Sequence, residues 1–281
     1  LKDFQTEKPT TIRCCRSRIT TEQLKKRLEE EHVLVENHPY LKDALLISKY
    51  DYLESLETFR EGLFVVQDIS SMLVGELAHV QAGAQVIDLC AAPGGKALDV
   101  AERILMEGQA GCSGHVEARD LTEYKVSLIE ENIERMGLCN VTAVCQDASV
   151  YDEKSAGKAD IVIADLPCSG LGVLGKKTDK ASPEGIVSLV KLQRKILSCA
   201  ASYVKPGGEL LYSTCTVNPK ENIENVHWFL KEFPEFYADD IREDLCLELR
   251  ESVTENGCIQ LLPGVHKSDG FFIARLRKKE V

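Results

Sequence analysis

The strongest constraint on the fold is a regular alternation of apolar strand segments with amphipathic helix segments, which begins at Gly62. Strands that alternate with helices form βαβ crossovers and a parallel sheet. Near the end of the chain, GCIQLLP and GFFIARLRK are typical of an antiparallel pair. We therefore predict an α/β domain over 62–281, with a mostly parallel sheet and a terminal antiparallel strand. The predicted strands of the parallel part span 84–90, 114–120, 140–147, 159–165 and 208–215, and the predicted helices span 96–107, 122–137, 185–204 and 218–233.

The first 61 residues have a different pattern, typical of a small α+β unit. TIRCCRSR is a strand candidate, and TTEQLKKRLEEE has a Thr N-cap with Glu and Gln in its first turn, which indicates a helix. HVLVENHPYLKDALLIS returns to the spacing of strands. We predict a small α+β subdomain over 1–61, with a boundary at 61/62.

Composition limits the class of protein. Hydrophobic residues make up 44% of the 281 residues, which is enough for a sizeable core. No run approaches the roughly 18 apolar residues of a membrane span, and no secretory signal is recognisable. The eleven cysteines form no Cys-x-x-Cys pair, which favours free thiols in a reducing compartment over a zinc site. We expect a cytoplasmic monomer that binds neither metal nor membrane.

The net charge of −11 is unusual for a nucleic-acid-binding protein, because phosphates attract cations. Local basic patches can nevertheless hold RNA on an acidic protein. Each cluster could equally be a solvated surface. The basic residues form four clusters, at Arg13/Arg16/Arg18, Lys176/Lys177/Lys180, Lys191/Arg194/Lys195 and Arg275/Arg277/Lys278/Lys279.

Four predicted strands end in residues suited to binding a ligand, and in open α/β sheets ligands bind beyond these ends. The first strand leads into a glycine-rich turn that has neither the dinucleotide-binding pattern nor the phosphate-loop pattern. Asp120 ends the second strand, where it is placed to hydrogen-bond ribose hydroxyls. Asp147 ends the third strand, where it could accept from an adenine amino group, and Asp165 ends the fourth. These features predict an adenosine cofactor without a phosphate cradle, and S-adenosylmethionine fits. The turn consists of Cys90, Ala91, Ala92, Pro93, Gly94, Gly95 and Lys96.

Two cysteines follow strands at the same predicted edge. Cys168 lies in DLPCSG and Cys215 in YSTCTVNPKEN. A helix that begins at NPKEN could lower a nearby thiol pKa. A thiolate that adds to carbon 6 of cytosine makes carbon 5 nucleophilic towards a methyl group, and a base must then remove the carbon 5 proton. Asp165 is a candidate carboxyl near ring N3, held by Lys96, but the residues alone do not say which thiol is the nucleophile.

The motifs DLCAAPGGKA, ADLPCSG, YSTCTVNPKEN and SDGFFIARL resemble those of the RNA cytosine-C5 methyltransferases, and the bacterial enzymes that act on 16S rRNA are the most similar. The resemblance covers nearly the whole chain, including FVVQDISSMLV at 64–74. It implies a Rossmann-like class I S-adenosylmethionine-dependent methyltransferase that acts on an unpaired or flipped-out cytosine. Residues 1–61 would be the family's small RNA-binding-type subdomain, rather than the helical domain that bacterial relatives often carry.

The resemblance also implies roles for individual residues. Cys215 would be the nucleophile and Cys168 would assist product release. Cys90 to Lys96 would line the cofactor, with Asp120 on its ribose, Asp147 near adenine and Asp165 near the methyl group and the base. DNA cytosine methyltransferases use the cysteine of their Pro-Cys motif, so only the resemblance of the Ser-Thr-Cys motif ranks the two thiols. Family members commonly have Thr where this chain has Ala97.

Three alternatives stay open at this point. The substrate could be tRNA instead of 16S rRNA. A methyltransferase acting on an amino nitrogen is disfavoured, because such sites have Asp/Asn-Pro-Pro-aromatic where this chain has DLPC. A non-catalytic RNA-binding assembly factor is disfavoured by the complete set of Lys96, Asp165, Cys168 and Cys215.

Overall fold

The computed structural model describes residues 9–108, 114–173, 182–254 and 257–280. Its strands are β1 (Thr10–Cys14), β2 (Leu34–Asn37), β3 (Ala44–Ser48), β4 (Phe64–Val66), β5 (Gln85–Asp88), β6 (His115–Asp120), β7 (Val141–Cys145), β8 (Ala159–Asp165), β9 (Val204–Thr214), β10 (Phe236–Asp239), β11 (Ile259–Leu261) and β12 (Phe271–Lys278). Its α-helices are α1 (Thr21–Glu30), α2 (Glu57–Arg60), α3 (Ile69–Leu77), α4 (Gly95–Glu107), α5 (Glu123–Met136), α6 (Pro183–Tyr203), α7 (Ile223–Glu232) and α8 (Leu247–Arg250).

The larger sheet has eight strands, with the order β10-β12-β9-β8-β5-β6-β7 and β11 paired to β12. Strands β5 to β9 run parallel, and β12 lies antiparallel to β9. This confirms the predicted class, a mostly parallel sheet with an antiparallel end. The chain goes from β5 outward to β7 and then returns to β8 on the other side of β5. That reversal creates a crevice at the carboxyl ends of β5 and β8, which is where such folds bind ligands.

Alternate residues of the central strands enter two separate cores, because side chains of a strand point to opposite faces. Ile161 and Ile163 of β8 pack with residues of α3, α4 and α5. Val162 and Ala164 pack on the other face, with residues of α6 and α7. None of the helices in the described ranges is long and apolar enough to cross a membrane.

The small sheet has the order β2-β3-β1-β4 and is antiparallel throughout. The predicted Thr cap is confirmed: Thr20 and Gln23 form a capping box at the start of α1. The fourth strand of this sheet is β4, so the sheet crosses the predicted boundary at 61/62. The division of the chain at that boundary stays a prediction.

Two local predictions are wrong. The strand predicted at 208–215 begins earlier, because Pro206, Gly207 and Gly208 lie inside β9, which begins at Val204 beside an irregular pairing with β8. NPKEN does not begin α7. Residues Pro219–Glu221 form a 3-10 turn, and Asn222 has φ −115° and ψ −104°. The Asn222 side chain accepts from Thr214 Oγ1 at 2.6 Å and donates to the Thr216 carbonyl at 2.9 Å, so tertiary contacts break the helix there.

Candidate active site

The glycine-rich turn connects β5 to α4 at the crevice. Gly94 has φ +112° at the N-cap of α4, a conformation that favours glycine. The Gly94 N–H donates to the Ala91 carbonyl at 2.7 Å, and the Ala91 N–H donates to the Arg119 carbonyl at 2.8 Å. The turn is therefore fixed against the end of β6.

A cavity of about 160 Å³ opens beside this turn. Six of the seven predicted turn residues line it, together with Asp165 at the end of β8. Its other wall comes from β4 and the start of α3, which the sequence did not assign to the site. The lining residues are Val66, Gln67, Asp68, Ser71, Asp88, Cys90, Ala91, Ala92, Pro93, Gly95, Lys96 and Asp165.

Asp120 and Asp147 do not line this cavity. Asp120 is buried and supports the turn, because its carboxylate accepts from the Ala92 N–H at 3.0 Å and from Lys125 Nζ at 2.9 Å. Asp147 is exposed, two residues beyond the end of β7, and accepts from the Ser149 N–H at 2.8 Å. Contacts of these two carboxylates with ribose and adenine stay predictions.

Lys96 and Asp165 meet at the mouth of the cavity. Lys96 Nζ donates to Asp165 Oδ2 at 2.6 Å, and Ser213 Oγ donates to Asp165 Oδ1 at 2.8 Å. The ammonium also lies 5.5 Å from the centre of the Phe271 ring. Both oxygens of Asp165 are therefore oriented, from α4 on one side and β9 on the other.

Asp88 is an additional carboxyl in the cavity wall that the sequence did not single out. It is 1% exposed, and among the described residues its Oδ2 has no hydrogen-bond partner. Burial raises the pKa of Asp88 to about 7, opposed by the nearby Lys96 ammonium. The sequence signal for Asp88 is its position within IDLC, two residues before Cys90. By sequence alone, however, a functional residue in a buried strand is hard to distinguish from a residue of the core.

The two predicted cysteines lie side by side. Cys168 Sγ and Cys215 Sγ are 3.2 Å apart, and both residues are partly buried free thiols. The hydrogen bond to Cys215, reinforced by burial, raises the pKa of Cys168 well above its ordinary value. Cys168 is thus held as a thiol beside the Cys215 sulfur.

The residues that follow the cysteines fix this spacing. Ser169 Oγ and Thr216 Oγ1 are hydrogen-bonded at 2.9 Å. The fully buried Glu221 carboxylate accepts from the Ser169 N–H at 2.9 Å, from the Ser169 hydroxyl at 2.5 Å and from Gln193 Nε2 at 3.1 Å. Glu221 belongs to the NPKEN motif, so the sequence indicated its neighbourhood but not its function as a shared acceptor.

A third loop, before β12, supports the cysteine loops through glycine contacts. The Gly172 N–H donates to the Cys215 carbonyl at 3.1 Å, and the Gly270 N–H donates to the Gly172 carbonyl at 2.8 Å. A Cβ atom at Gly172 would lie 1.9 Å from the Gly270 carbonyl oxygen, so any side chain there would displace the backbone. The close approach requires glycine.

Two of the basic clusters each contain one arginine that is used inside the protein. Arg13 and Arg275 are each 3% exposed. Arg13 pairs with Glu102, and Arg275 bonds Asp239 at 2.9 Å and Asp244 at 2.6 Å. These two arginines are therefore neither a solvated surface nor available to bind RNA, because their guanidiniums neutralise internal carboxylates. The cluster at 176–180 lies outside the described residues.

Lys191 and Lys195, from the remaining cluster on α6, are exposed. Within the described ranges, no group of three or more His, Cys, Asp or Glu side chains is arranged to hold a metal ion.

The chain has the fold of an S-adenosylmethionine-dependent methyltransferase. It superposes on a methyltransferase homolog protein from Pyrococcus horikoshii with a TM-score of 0.81 and 26% identity, covering 99% of this chain and 88% of that one. The fold also matches NSun6 from Pyrococcus horikoshii, solved with SFG, with a TM-score of 0.83 and 22% identity, covering 100% and 93% of the two chains.

The chain belongs to the family described as 16S rRNA methyltransferase RsmB/F, whose model matches residues 76–277. It is 35% identical over 273 residues to the Bacillus subtilis (strain 168) protein named "Probable ribosomal RNA small subunit methyltransferase B", covering 96% of this chain and 60% of the relative. It is 35% identical over 222 residues to the "Ribosomal RNA small subunit methyltransferase F" of Pectobacterium carotovorum, covering 77% and 45%. The chain thus spans about half to three fifths of these relatives.

Proposed function

We propose that this chain transfers a methyl group from S-adenosylmethionine to carbon 5 of a cytosine in RNA, and that the RNA is 16S rRNA. The observation that carries the proposal is the pair of thiols 3.2 Å apart beside the oriented Asp165–Lys96 pair. Cys168 follows Asp165 by three residues, and Cys215 follows Ser213, which donates to Asp165, by two. Membership of the RsmB/F family and relatives named for ribosomal RNA methylation support it.

The charge of the cavity suits this cofactor. Three carboxyl groups line it, those of Asp68, Asp88 and Asp165, against one ammonium from Lys96. Such a lining favours a ligand with a sulfonium and an amino group and disfavours phosphates. Asp88 Oδ2, which has no hydrogen-bond partner in the part of the chain that the structure describes, is a buried oxygen in the wall. Cys90 to Lys96 would hold the cofactor, with Asp120 near its ribose and Asp147 near its adenine.

The proposed reaction needs a nucleophile, a carboxyl and a group for release. The cofactor supplies a methyl group on a positive sulfur. Cys215 forms a bond from sulfur to carbon 6, and the π electrons of the ring move to carbon 5, which takes the methyl group as the sulfur–methyl bond breaks. Asp165, held by Lys96 and Ser213, stabilises the change of charge at N3. A base then removes the carbon 5 proton, the ring double bond re-forms, and the thiolate of Cys215 leaves.

The thiol pair supports Cys215 as the nucleophile and Cys168 as the assisting group. The raised pKa of Cys168 keeps its proton, which it can donate to the Cys215 sulfur. A thiolate at Cys215 is stabilised by such a donor.

The test is incubation of the protein with S-adenosylmethionine and either 16S rRNA or tRNA, followed by mass spectrometry of the nucleosides. We expect 5-methylcytidine in 16S rRNA, its loss in Cys215→Ser, and no change in Cys139→Ala, which alters an exposed thiol. Methylation of an amino nitrogen, or RNA binding without any methyl transfer, would contradict the proposed activity. A preference for tRNA would overturn the proposed substrate.

The second test addresses release. Cys168→Ala should accumulate a covalent adduct with RNA that survives a denaturing gel, because addition by Cys215 proceeds and elimination is slowed. The double variant with Cys215→Ser should form no adduct. An adduct that persists in the double variant, or its absence in the single one, would refute the assigned roles.

A further inference from the structure

The small subdomain holds the backbone of one residue of the catalytic domain, Lys267, through both its carbonyl and its N–H. His38 Nε2 lies 3.2 Å from the Lys267 carbonyl oxygen, and the Lys267 N–H donates to the Tyr40 hydroxyl at 3.2 Å. The two rings touch edge to face, with centres 5.1 Å apart. We call these contacts the Lys267 clamp.

The clamp has a defined hydrogen-bond direction. The Tyr40 N–H donates to His38 Nδ1 at 3.2 Å, so Nε2 carries the hydrogen and donates to the Lys267 carbonyl. His38 is 5% exposed, and burial lowers its pKa, which keeps the ring neutral and in this tautomer. Both ring nitrogens are therefore used.

Lys267 lies three residues before Gly270, and Gly270 connects the clamp to the proposed nucleophile. The Gly270 N–H bonds the Gly172 carbonyl, and the Gly172 N–H bonds the Cys215 carbonyl. Phe271, the next residue, lies under the Lys96 ammonium that holds Asp165. A contiguous set of contacts thus runs from the clamp to both halves of the proposed reactive centre.

We propose that His38 and Tyr40 are positioning residues, which hold the loop before β12 so that Cys215 keeps its place beside Cys168. The consequence for turnover rests on the proposed function. The consequence for the thiol does not, because the position of Cys215 also controls its reaction with a small alkylating reagent.

The experiment compares His38→Ala, His38→Gln and Tyr40→Phe with the unaltered protein. The first readout is the rate of iodoacetamide alkylation of Cys215 relative to the exposed Cys139, by peptide mass spectrometry. We expect at least a roughly threefold rise in His38→Ala and Tyr40→Phe, because the loop relaxes. The second is methyl transfer, where we expect kcat to fall about tenfold with the KM for S-adenosylmethionine within about twofold, since small displacements of reacting groups are costly.

Two comparisons separate positioning from general stability. His38→Gln retains an N–H donor for the Lys267 carbonyl and should recover most of the loss seen in His38→Ala. Tyr50→Phe is the matched control, because its hydroxyl bonds Thr10 within the small subdomain at 2.5 Å, away from the clamp. Its alkylation and kcat should stay unchanged.

Unchanged Cys215 alkylation and kcat in His38→Ala and Tyr40→Phe would overturn the proposal, as would equal losses in Tyr50→Phe or no recovery in His38→Gln. If the unaltered protein does not methylate RNA, the proposed function fails, and the alkylation rates still decide on the clamp.

Discussion

At the scale of single residues, Asp88 is a carboxyl of the site whose burial makes the stability of the fold depend on pH. It is buried in the cavity wall, one oxygen receives the Cys90 N–H at 3.4 Å, and burial raises its pKa to about 7. A carboxyl in this state binds a proton more tightly in the folded than in the unfolded protein. Its contribution to stability is therefore complete below about pH 4 and is lost as the pH rises through 7.

Asp88→Asn should remove this pH dependence, since the amide retains the acceptor for Cys90 and cannot ionise. The free energy of unfolding of the variant should increase relative to that of the unaltered protein between pH 4 and 7, by at most about 1.4 kcal/mol per pH unit. Above pH 7 the difference should stay constant. Urea unfolding across this range measures the difference. Asp147→Asn is the control, because the Ser149 bonds lower the pKa of this exposed carboxyl and place its effect below pH 4. Parallel curves for Asp88→Asn and the unaltered protein would contradict the prediction.

Sequence reasoning named the proposed reactive residues but not the groups that support them. Asp165 ends β8, Cys168 follows it by three residues, and Cys215 directly follows β9, so the edge of the sheet brings them together. Asp88 and Glu221 are buried, and their importance depends on which donors reach them from other elements. Local patterns contain no information on such long-range contacts.

At the scale of elements, the contact between β1 and α4 depends on one buried ion cluster. Arg13 of β1 pairs with Glu102 of α4, lies 3.4 Å from Asp99, and donates to Gln67 Oε1 at 3.1 Å. Ser17 also donates to Glu102 at 2.8 Å. The small sheet is thus attached to the helix that begins in the glycine-rich turn.

Arg13→Ala should destabilise the protein by about 3–5 kcal/mol, because it leaves buried carboxylates without their cation. Equilibrium urea unfolding measures this. Lys26→Ala should change stability by less than about 1 kcal/mol, since Lys26 pairs with Glu30 at 3.9 Å on an exposed face. A loss for Arg13→Ala as small as that for Lys26→Ala would show that the cluster does not stabilise the contact.

The elements themselves were largely predictable. The predicted range 159–165 matches β8, because a short run of Ile and Val bounded by charged residues is typical of a buried strand. The failures came where tertiary contacts override local signals. The side chain of Asn222 hydrogen-bonds Thr214 and Thr216, and its backbone is not helical. Pro206 lies within a strand, next to an irregular pairing.

At the scale of the whole molecule, the cavity is built from two parts of the chain. Gln67, Asp68 and Ser71 come from the segment that follows β4 of the small sheet, and Asp88, Lys96 and Asp165 come from the large sheet. A ligand in this cavity contacts both. Its binding free energy therefore adds to the stability of the folded protein.

S-adenosylmethionine at about 100 times its Kd should stabilise the fold by about 2.7 kcal/mol and raise Tm by roughly 5–11 °C. ATP, which carries adenosine with phosphates, should give little shift, because the cavity has three carboxyl groups and one ammonium. Differential scanning fluorimetry compares the two ligands. An equal shift with ATP would show that adenosine alone is recognised and that the cavity charge has no effect on binding.

The way β4 joins the small sheet has a consequence for recombination between relatives. A chimera cut at 61/62 would take β1 and its Arg13 from one parent, and β4, Gln67 and Glu102 from the other. Its two halves would have to match at three places at once: the pairing of β1 with β4, the buried ion cluster around Arg13, and the wall of the cavity. We therefore expect the small subdomain to be exchanged between relatives only together with the domain it packs against.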